Sequence, residues 1–314
     1  MKSMMIRRSV SIVTVFIFVM ILFPRPALPG GSFCSIIDAR SNIYSAGHLV
    51  IPNPGGGGGG LFCGGLGISG IDGQVISFVS ISGMVSGALG YPLHSADAWT
   101  GGTTDMNSYG GLAGLIVPDH SLCLVGVFLD NSEPVDPAPP RLDYAILPTG
   151  LTDYYPQLHQ IFFIGDGLTG FGTGQPQRFH IPTGATWFYL GFADGWAYSG
   201  DPGYYDDNTG SLSVYAAVGS QAQISKMTLK SSSIKGGRKL KGTIQLRSAA
   251  PSAGVSIPIV SLNESVVLGM VCYINPGSKQ GSFSLNTKRV SSTTKVKITA
   301  YSSNTASKTI TVTK

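Results

Sequence analysis

Val75 to Met84 reads VISFVSISGM, a run of β-branched and apolar residues, and it is the first of a series. Comparable runs follow at Leu112 to Val117, Cys123 to Leu129, Gln160 to Ile164, Arg178 to Ile181, Thr186 to Phe192 and Gly210 to Val218, with Gly, Pro and Asp between them. Short strands punctuated in this way are the pattern of a sandwich or jelly roll. Helical spacing of three and four is nearly absent, so the facing sheets of a β-sandwich are the economical way to bury these residues. The expected fold class is all-β.

The pattern continues beyond residue 220 with different chemistry. Ile224 to Leu229, Lys241 to Leu246, Gly254 to Leu262, Ser282 to Thr287, Thr294 to Ala300 and Lys308 to Val312 are evenly spaced, with Ser and Lys outward. About seven short strands in a little under 100 residues is the expectation for a smaller immunoglobulin-like sandwich. The segments GTIQL, APSAG and VSLN add a weak likeness to the immunoglobulin-like modules of exported bacterial proteins.

Charge divides the chain at the same place. Residues 31–220 hold three basic residues (Arg40, Arg141, Arg178) against fifteen acidic ones, a net of −12. Residues 221–314 hold fourteen basic residues against the single Glu264, a net of +13. So abrupt a reversal marks a domain boundary and suggests a different partner for each half. Charged residues are only 12% of the chain, with 43 Gly and 19 Pro, which excludes a charge-rich disordered tail and a helical bundle.

At the N-terminus, Lys2, Arg7 and Arg8 precede the uncharged run Ser9 to Phe23, and Pro24, Pro26 and Pro29 follow. This is the layout of a secretory signal peptide over residues 1–30, with cleavage near Ala27 to Gly31. The alternative is an uncleaved anchor, since the run is near the short end for spanning. No later stretch approaches the ~20 apolar residues a spanning helix needs. Export makes one disulfide plausible among the four cysteines, and Cys34 with Cys63 is the expected pair; Cys123, inside an apolar run, is expected as a buried small hydrophobe.

Residues 31–73 form a Gly-rich lead-in to the sandwich of 74–220. Ile51 to Gly65 (IPNPGGGGGGLFCGG) is low in complexity and reads as a flexible loop. It is no phosphate cradle, because no Lys-Ser/Thr follows the glycines.

Chemistry concentrates in Ala193 to Ser213, ADGWAYSGDPGYYDDNTGSLS, where Asp194, Asp201, Asp206, Asp207 and Asn208 crowd one loop. Carboxylates packed together repel one another and raise their own pKa values unless a positive charge neutralises them. The nearest basic residues in sequence are distant, so a metal ion is the natural counter-charge. Calcium suits best: it takes six to eight hard oxygens in flexible geometry, and glycines let the chain turn its carbonyls inward. The spacing is not that of an EF-hand, and His and Cys do not cluster at transition-metal spacing. A solvated turn is the bland alternative, since Asp-Asn-Thr-Gly is ordinary turn chemistry.

These residues resemble the calcium-dependent galactophilic bacterial lectins and the exported bacterial domains related to them. Tyr189 to Gly195 (YLGFADG) matches the lectins' core strand ending in Asp, Pro202-Gly203 their loop, and Asp207 to Val214 (DNTGSLSV) the start of their last strand. A weaker likeness extends through Ser82 to Gly87 and Gly111 to Ile116. The resemblance implies Asp194 as a carboxylate ligand, backbone carbonyls from Tyr204 and Gly87, and side-chain oxygens from Asp207 and Asn208. It also implies that Asp194 and Asp207 touch sugar hydroxyls. Two departures matter: Asp207 stands where the lectins have an amide, and the longer loop makes Asp201 an alternative to Asp194.

Trp196, Tyr198, Tyr204 and Tyr205 share the acidic loop, and flat apolar faces suit sugar rings while carboxylates bind their hydroxyls. For Tyr205, capping the core is an equal alternative. A second Gly-rich loop, YPLHSADAWTGGTTD, carries His94 and Trp99 as further candidates, His94 being the sugar-binding choice.

Catalytic signatures are missing: no Gly-x-Ser-x-Gly, no His-Glu-x-x-His and no Cys with a credible His partner. Arg141 to Asp143 and Phe163 to Gly167 are expected to fix turns. The lysines of the second half lack the aromatic interleaving of a nucleic-acid surface, so acidic polysaccharide or a solvated face fits them better. Together these features lead to a non-catalytic, secreted or cell-surface, calcium-dependent carbohydrate-binding protein. The alternative is an envelope or matrix adhesion protein in which calcium only stabilises a loop, and an exported hydrolase is third.

Overall fold

The structure, a computed structural model, describes residues 32–68, 74–220, 222–250, 254–263, 265–302 and 304–314. The expected signal peptide lies outside the described residues. Among them the chain is all-β, and its helical segments are short 3-10 turns alone. Among them no helix is long and apolar enough to cross a membrane.

Two sheets make the first sandwich. One orders its strands Ser32–Asp38, Thr209–Ser220, Gln74–Ser86, Arg178–His180 and Asp153–Tyr154; its long central pair runs antiparallel from Thr209↔Ser86 to Ser220↔Gln74. The other orders Phe162–Phe163, Leu124–Leu129, Trp187–Phe192, Ser41–Asn42 and Leu61–Phe62, with Gly64–Gly67 also paired to Trp187–Phe192. The strand VISFVSISGM thus lies at the centre of its sheet. Its Phe78 meets Phe179 of the same sheet and Phe188 of the other, at ring-centroid distances of 5.7 and 6.5 Å. Phe162 stacks on Phe179 across the same gap at 5.2 Å. These rings close the core, each pair adding about 0.5–1.5 kcal/mol beyond the area buried.

Past a register shift between Tyr215 and Ala216, the alternation of the strand sends two adjacent small residues to opposite sides. Ala216 faces the first core, while Ala217 packs with Val260 and Tyr301 of the second unit. That unit faces a three-stranded sheet (Ile224–Leu229, Lys239–Leu246, Gln280–Asn286) with a five-stranded one (Ser233–Lys235, Thr305–Thr313, Thr294–Tyr301, Val255–Ser261, Met270–Ile274). Its separate core includes Ile244, Ile257, Leu285, Ile298 and Ile310.

Three expectations need correction. Ser32–Asp38 and the short strands up to Gly67 are not a loose lead-in, because they pair into both sheets of the first sandwich. The glycine run is not a flexible loop, since it is hydrogen-bonded to the acidic loop along its length. Nor do Cys34 and Cys63 pair: all four cysteines are free, Cys34 exposed on its strand and Cys63 buried beside Ser45. Cys123 is fully buried, and burial pushes its thiol up to about 12, which leaves an inert hydrophobe.

Candidate functional site

The acidic loop crosses from one sheet to the other at an end of the sandwich. It leaves Trp187–Phe192 through Ala193 and Asp194 and re-enters the core at Thr209–Ser220. The crossing brings Asp194 and Asn208 face to face. Asn208 Nδ2 donates to Asp194 Oδ2 at 2.7 Å and to the carbonyl of Ala39 at 3.3 Å, and the Gly195 N–H donates to Asp194 Oδ1 at 2.8 Å. From below, the buried Tyr205 hydroxyl accepts from the Asp194 N–H and donates to the Phe192 carbonyl, both at 3.0 Å. Tyr205 is fully buried, so of its two readings the core one is realised.

Asp194 is only 2% exposed and has no cationic partner among the described residues. Burial raises its pKa well above the carboxylate range, and Asp207 adds to the rise, while the donors of Asn208 and Gly195 oppose it. Asn208 is itself 3% exposed, and its Oδ1 is buried without a hydrogen-bond partner. A buried amide oxygen left unpaired costs about 1–3 kcal/mol, so this one needs a positive or donating group. Asp207 is exposed, and its carboxyl is raised by partial burial and by Asp206.

Tyr198 joins them. Burial, with the nearby charges of Asp194 and Asp207, pushes its phenol up to about 12, and its hydroxyl lies 2.1 Å from where a Cβ on Gly87 would stand. Glycine is therefore required at 87 for the ring to approach the end of the Gln74–Ser86 strand. His94 flanks that strand end through paired backbone bonds with Val85 of 2.9 and 3.0 Å, and burial lowers its pKa. Trp196 is 70% exposed, its ring centroid 5.1 Å from that of Tyr204.

The structure thus gathers Asp194, Asp207, Asn208, Tyr198 and Gly87, with His94 and Trp196 at the margins. Asp201 is engaged elsewhere, its carboxylate accepting from Asn107 Nδ2 at 2.9 Å. Tyr204 packs its ring over Gly57, and its amide donates to the Gly56 carbonyl at 2.8 Å. Among the described residues no three carboxylate, imidazole or thiol groups converge on one point. The side-chain donors gathered here are two carboxylates and an amide oxygen, which suit a hard, flexible cation better than a transition metal.

Two features were not legible as parts of the site. The glycine run cradles the loop: Gly55 N–H donates to Pro202, Tyr205 N–H to Gly58 and Gly60 N–H to Asp206 Oδ1. Tyr91, close to Tyr198, lies in the Leu89 to Leu93 segment, which is apolar and exposed. Ala197, Tyr198 and Tyr204 all hold left-handed φ values, of 51, 62 and 63°. Each costs a residue with a Cβ roughly 1–2 kcal/mol, and such strain gathers at ligand sites.

No protein-family model matches the sequence, and no curated protein matches it.

Proposed function

We propose that the protein is exported and binds carbohydrate through a calcium ion held at the Asp194–Asn208 end of the first sandwich. The observation that carries this reading is the buried Asp194 carboxylate, without a cation, beside the buried and unpartnered Asn208 Oδ1. Asp194, Asn208 and Asp207 would hold the ion, with backbone carbonyls from the Gly87 and Tyr204 segments completing its oxygen shell. Calcium, when bound, neutralises the carboxylates and takes sugar hydroxyls as further ligands. The exposed Asp207 and Trp196 supply a rim on which a sugar's hydroxyls and apolar face can rest.

A second reading has its own support. Asp194 lies so far inside that an ion on it would brace the crossing loop whether or not a sugar comes. A glycan array probed with calcium and then with chelator separates the two. Calcium-dependent capture of defined glycans supports the lectin reading, whereas calcium binding without any glycan leaves a structural ion.

A further inference from the structure

The second unit holds a cleft of about 630 Å³ on its three-stranded sheet, far in sequence from the acidic loop. Thr228, Thr243, Ser282, Ser284, Lys230 and Lys241 line it. Strand register explains the grouping. Thr228, Thr243 and Ser282 are paired across the three strands in one row, and Lys241 pairs with Ser284 in the next even row. Lys230 is tied to that second row by its N–H, which donates to the Lys241 carbonyl at 2.9 Å. Positions two apart along a strand share a face, so the hydroxyl-bearing and lysine-bearing rows lie about 6.8 Å apart along the strands on one surface.

Among the described residues no ion pair involves Lys230 or Lys241. Every ion pair among the described residues lies in the first sandwich. The sequence from 221 to 314 has one acidic side chain, Glu264, against fourteen basic ones. A hydroxyl row beside an unpaired cationic row matches a chain of sugar rings bearing carboxylates: hydroxyl meets hydroxyl, and carboxylate meets ammonium. A nucleic acid fits less well, because the aromatic in the lining, Phe283, is 5% exposed and offers no face for a base.

We propose that this cleft binds an acidic polysaccharide, its carboxylates on Lys230 and Lys241 and its ring hydroxyls on the Thr228–Thr243–Ser282 row. The site is independent of calcium. It gives the basic unit a grip of its own on a uronate-bearing polymer, and repetition along that polymer multiplies a weak contact into useful avidity.

The test uses the whole chain and immobilised polygalacturonate in the presence of chelator, so that the calcium site takes no part. Binding at low salt should weaken by about tenfold or more at high salt, as exposed charge contacts are screened. Lys230→Gln with Lys241→Gln should weaken it about tenfold, and Ser282→Trp, which fills the cleft without touching charge, should do the same. Lys295→Gln with Lys308→Gln, an equal charge change on the opposite sheet, should alter it by less than about twofold. Melting curves of each variant confirm that the second unit is folded. Equal losses from the two lysine pairs, an undiminished Ser282→Trp, or no binding at low salt would overturn the proposal. So would tighter binding of duplex DNA with the same sensitivity to the variants.

Discussion

Asn208 and Asp194, fourteen residues apart in sequence, meet side chain to side chain at 2.7 Å with the amide as donor. This orientation commits Asn208 Nδ2 to the carboxylate and leaves its Oδ1 buried and unpaired. If that oxygen and the Asp194 carboxylate face a cation, Asp194→Asn and Asn208→Ala should each lower calcium affinity by about 100-fold, since each removes an inner oxygen. Asp119→Asn, a charge change at a position with φ of 60° that Asn also tolerates, should leave it unchanged. Isothermal titration calorimetry reads both, and equal affinities across the three variants would place calcium elsewhere.

Calcium should also separate the two cores thermally. A ligand held only by the folded first sandwich stabilises it by about 2.7 kcal/mol at a hundred times its Kd, or roughly 5–10 °C for a unit of this size. Calorimetry of the whole chain should show one transition that moves by this amount on adding chelator and one that does not. The contact of Ala217 with Val260 and Tyr301 is small enough to let the units melt apart. Movement of both transitions, or of neither, speaks against an ion confined to the Asp194 loop.

What the sequence disclosed and what it concealed follow from locality. Ile224–Leu229 was legible to the residue, because an apolar and β-branched run bounded by turn residues is a local property. Met270–Ile274 was missed: MVCYI is a short edge strand next to Val255–Ser261, with no polar alternation to announce it. The acidic loop was legible as a candidate because its carboxylates lie together in the chain. Its support was not. Six glycines look alike whether they form a linker or a cradle, and only the ring of Tyr204 and the carboxylate of Asp206, about 150 residues later, distinguish the two. For the same reason Cys34 and Cys63 could be paired on paper, although one lies on the Ser32–Asp38 strand and the other beside Ser45 in the core.

A pH dependence should arise at a second carboxylate. Asp97 is buried, and burial, opposed by the Asp166 N–H and reinforced by the Asp166 charge, pushes it up to about 6. The Asp166 N–H donates to Asp97 Oδ1 at 2.8 Å, and the ring of His120 lies 2.6 Å from the Asp97 carbonyl. With its folded pKa above the unfolded value of about 3.9, Asp97 holds its proton more tightly in the folded state. The stability that Asp97 contributes is therefore greatest below about pH 4, falls as pH rises toward 6, and is level above that. Asp97→Asn keeps the acceptor for the Asp166 N–H and removes the charge. It should raise the melting temperature of the first unit by a few degrees at pH 7.5 and leave it unchanged near pH 4, each kcal/mol being worth about 2–4 °C. A difference that is constant across that range would show that Asp97 is not the titrating group.

The glycine run offers the most direct test of how the acidic loop is held. Gly56 and Gly57 both have left-handed φ values, of 80 and 69°, so alanine at either position carries a similar backbone cost of roughly 1 kcal/mol. Their surroundings differ. A Cβ at 56 meets nothing within 4 Å, whereas one at 57 stands 2.4 Å from the ring of Tyr204. Subtracting the loss of Gly56→Ala from that of Gly57→Ala thus isolates the contact between run and loop. That difference should be about 1–3 kcal/mol, the usual cost of overpacking. It should be accompanied by weakened calcium binding, because Tyr204 is displaced together with the segment that leads to Asp207 and Asn208. Tyr204→Gly in the Gly57→Ala background should restore part of the stability by removing the clash. Equal losses at 56 and 57, with calcium affinity untouched in both, would mean that the run does not hold the loop in place.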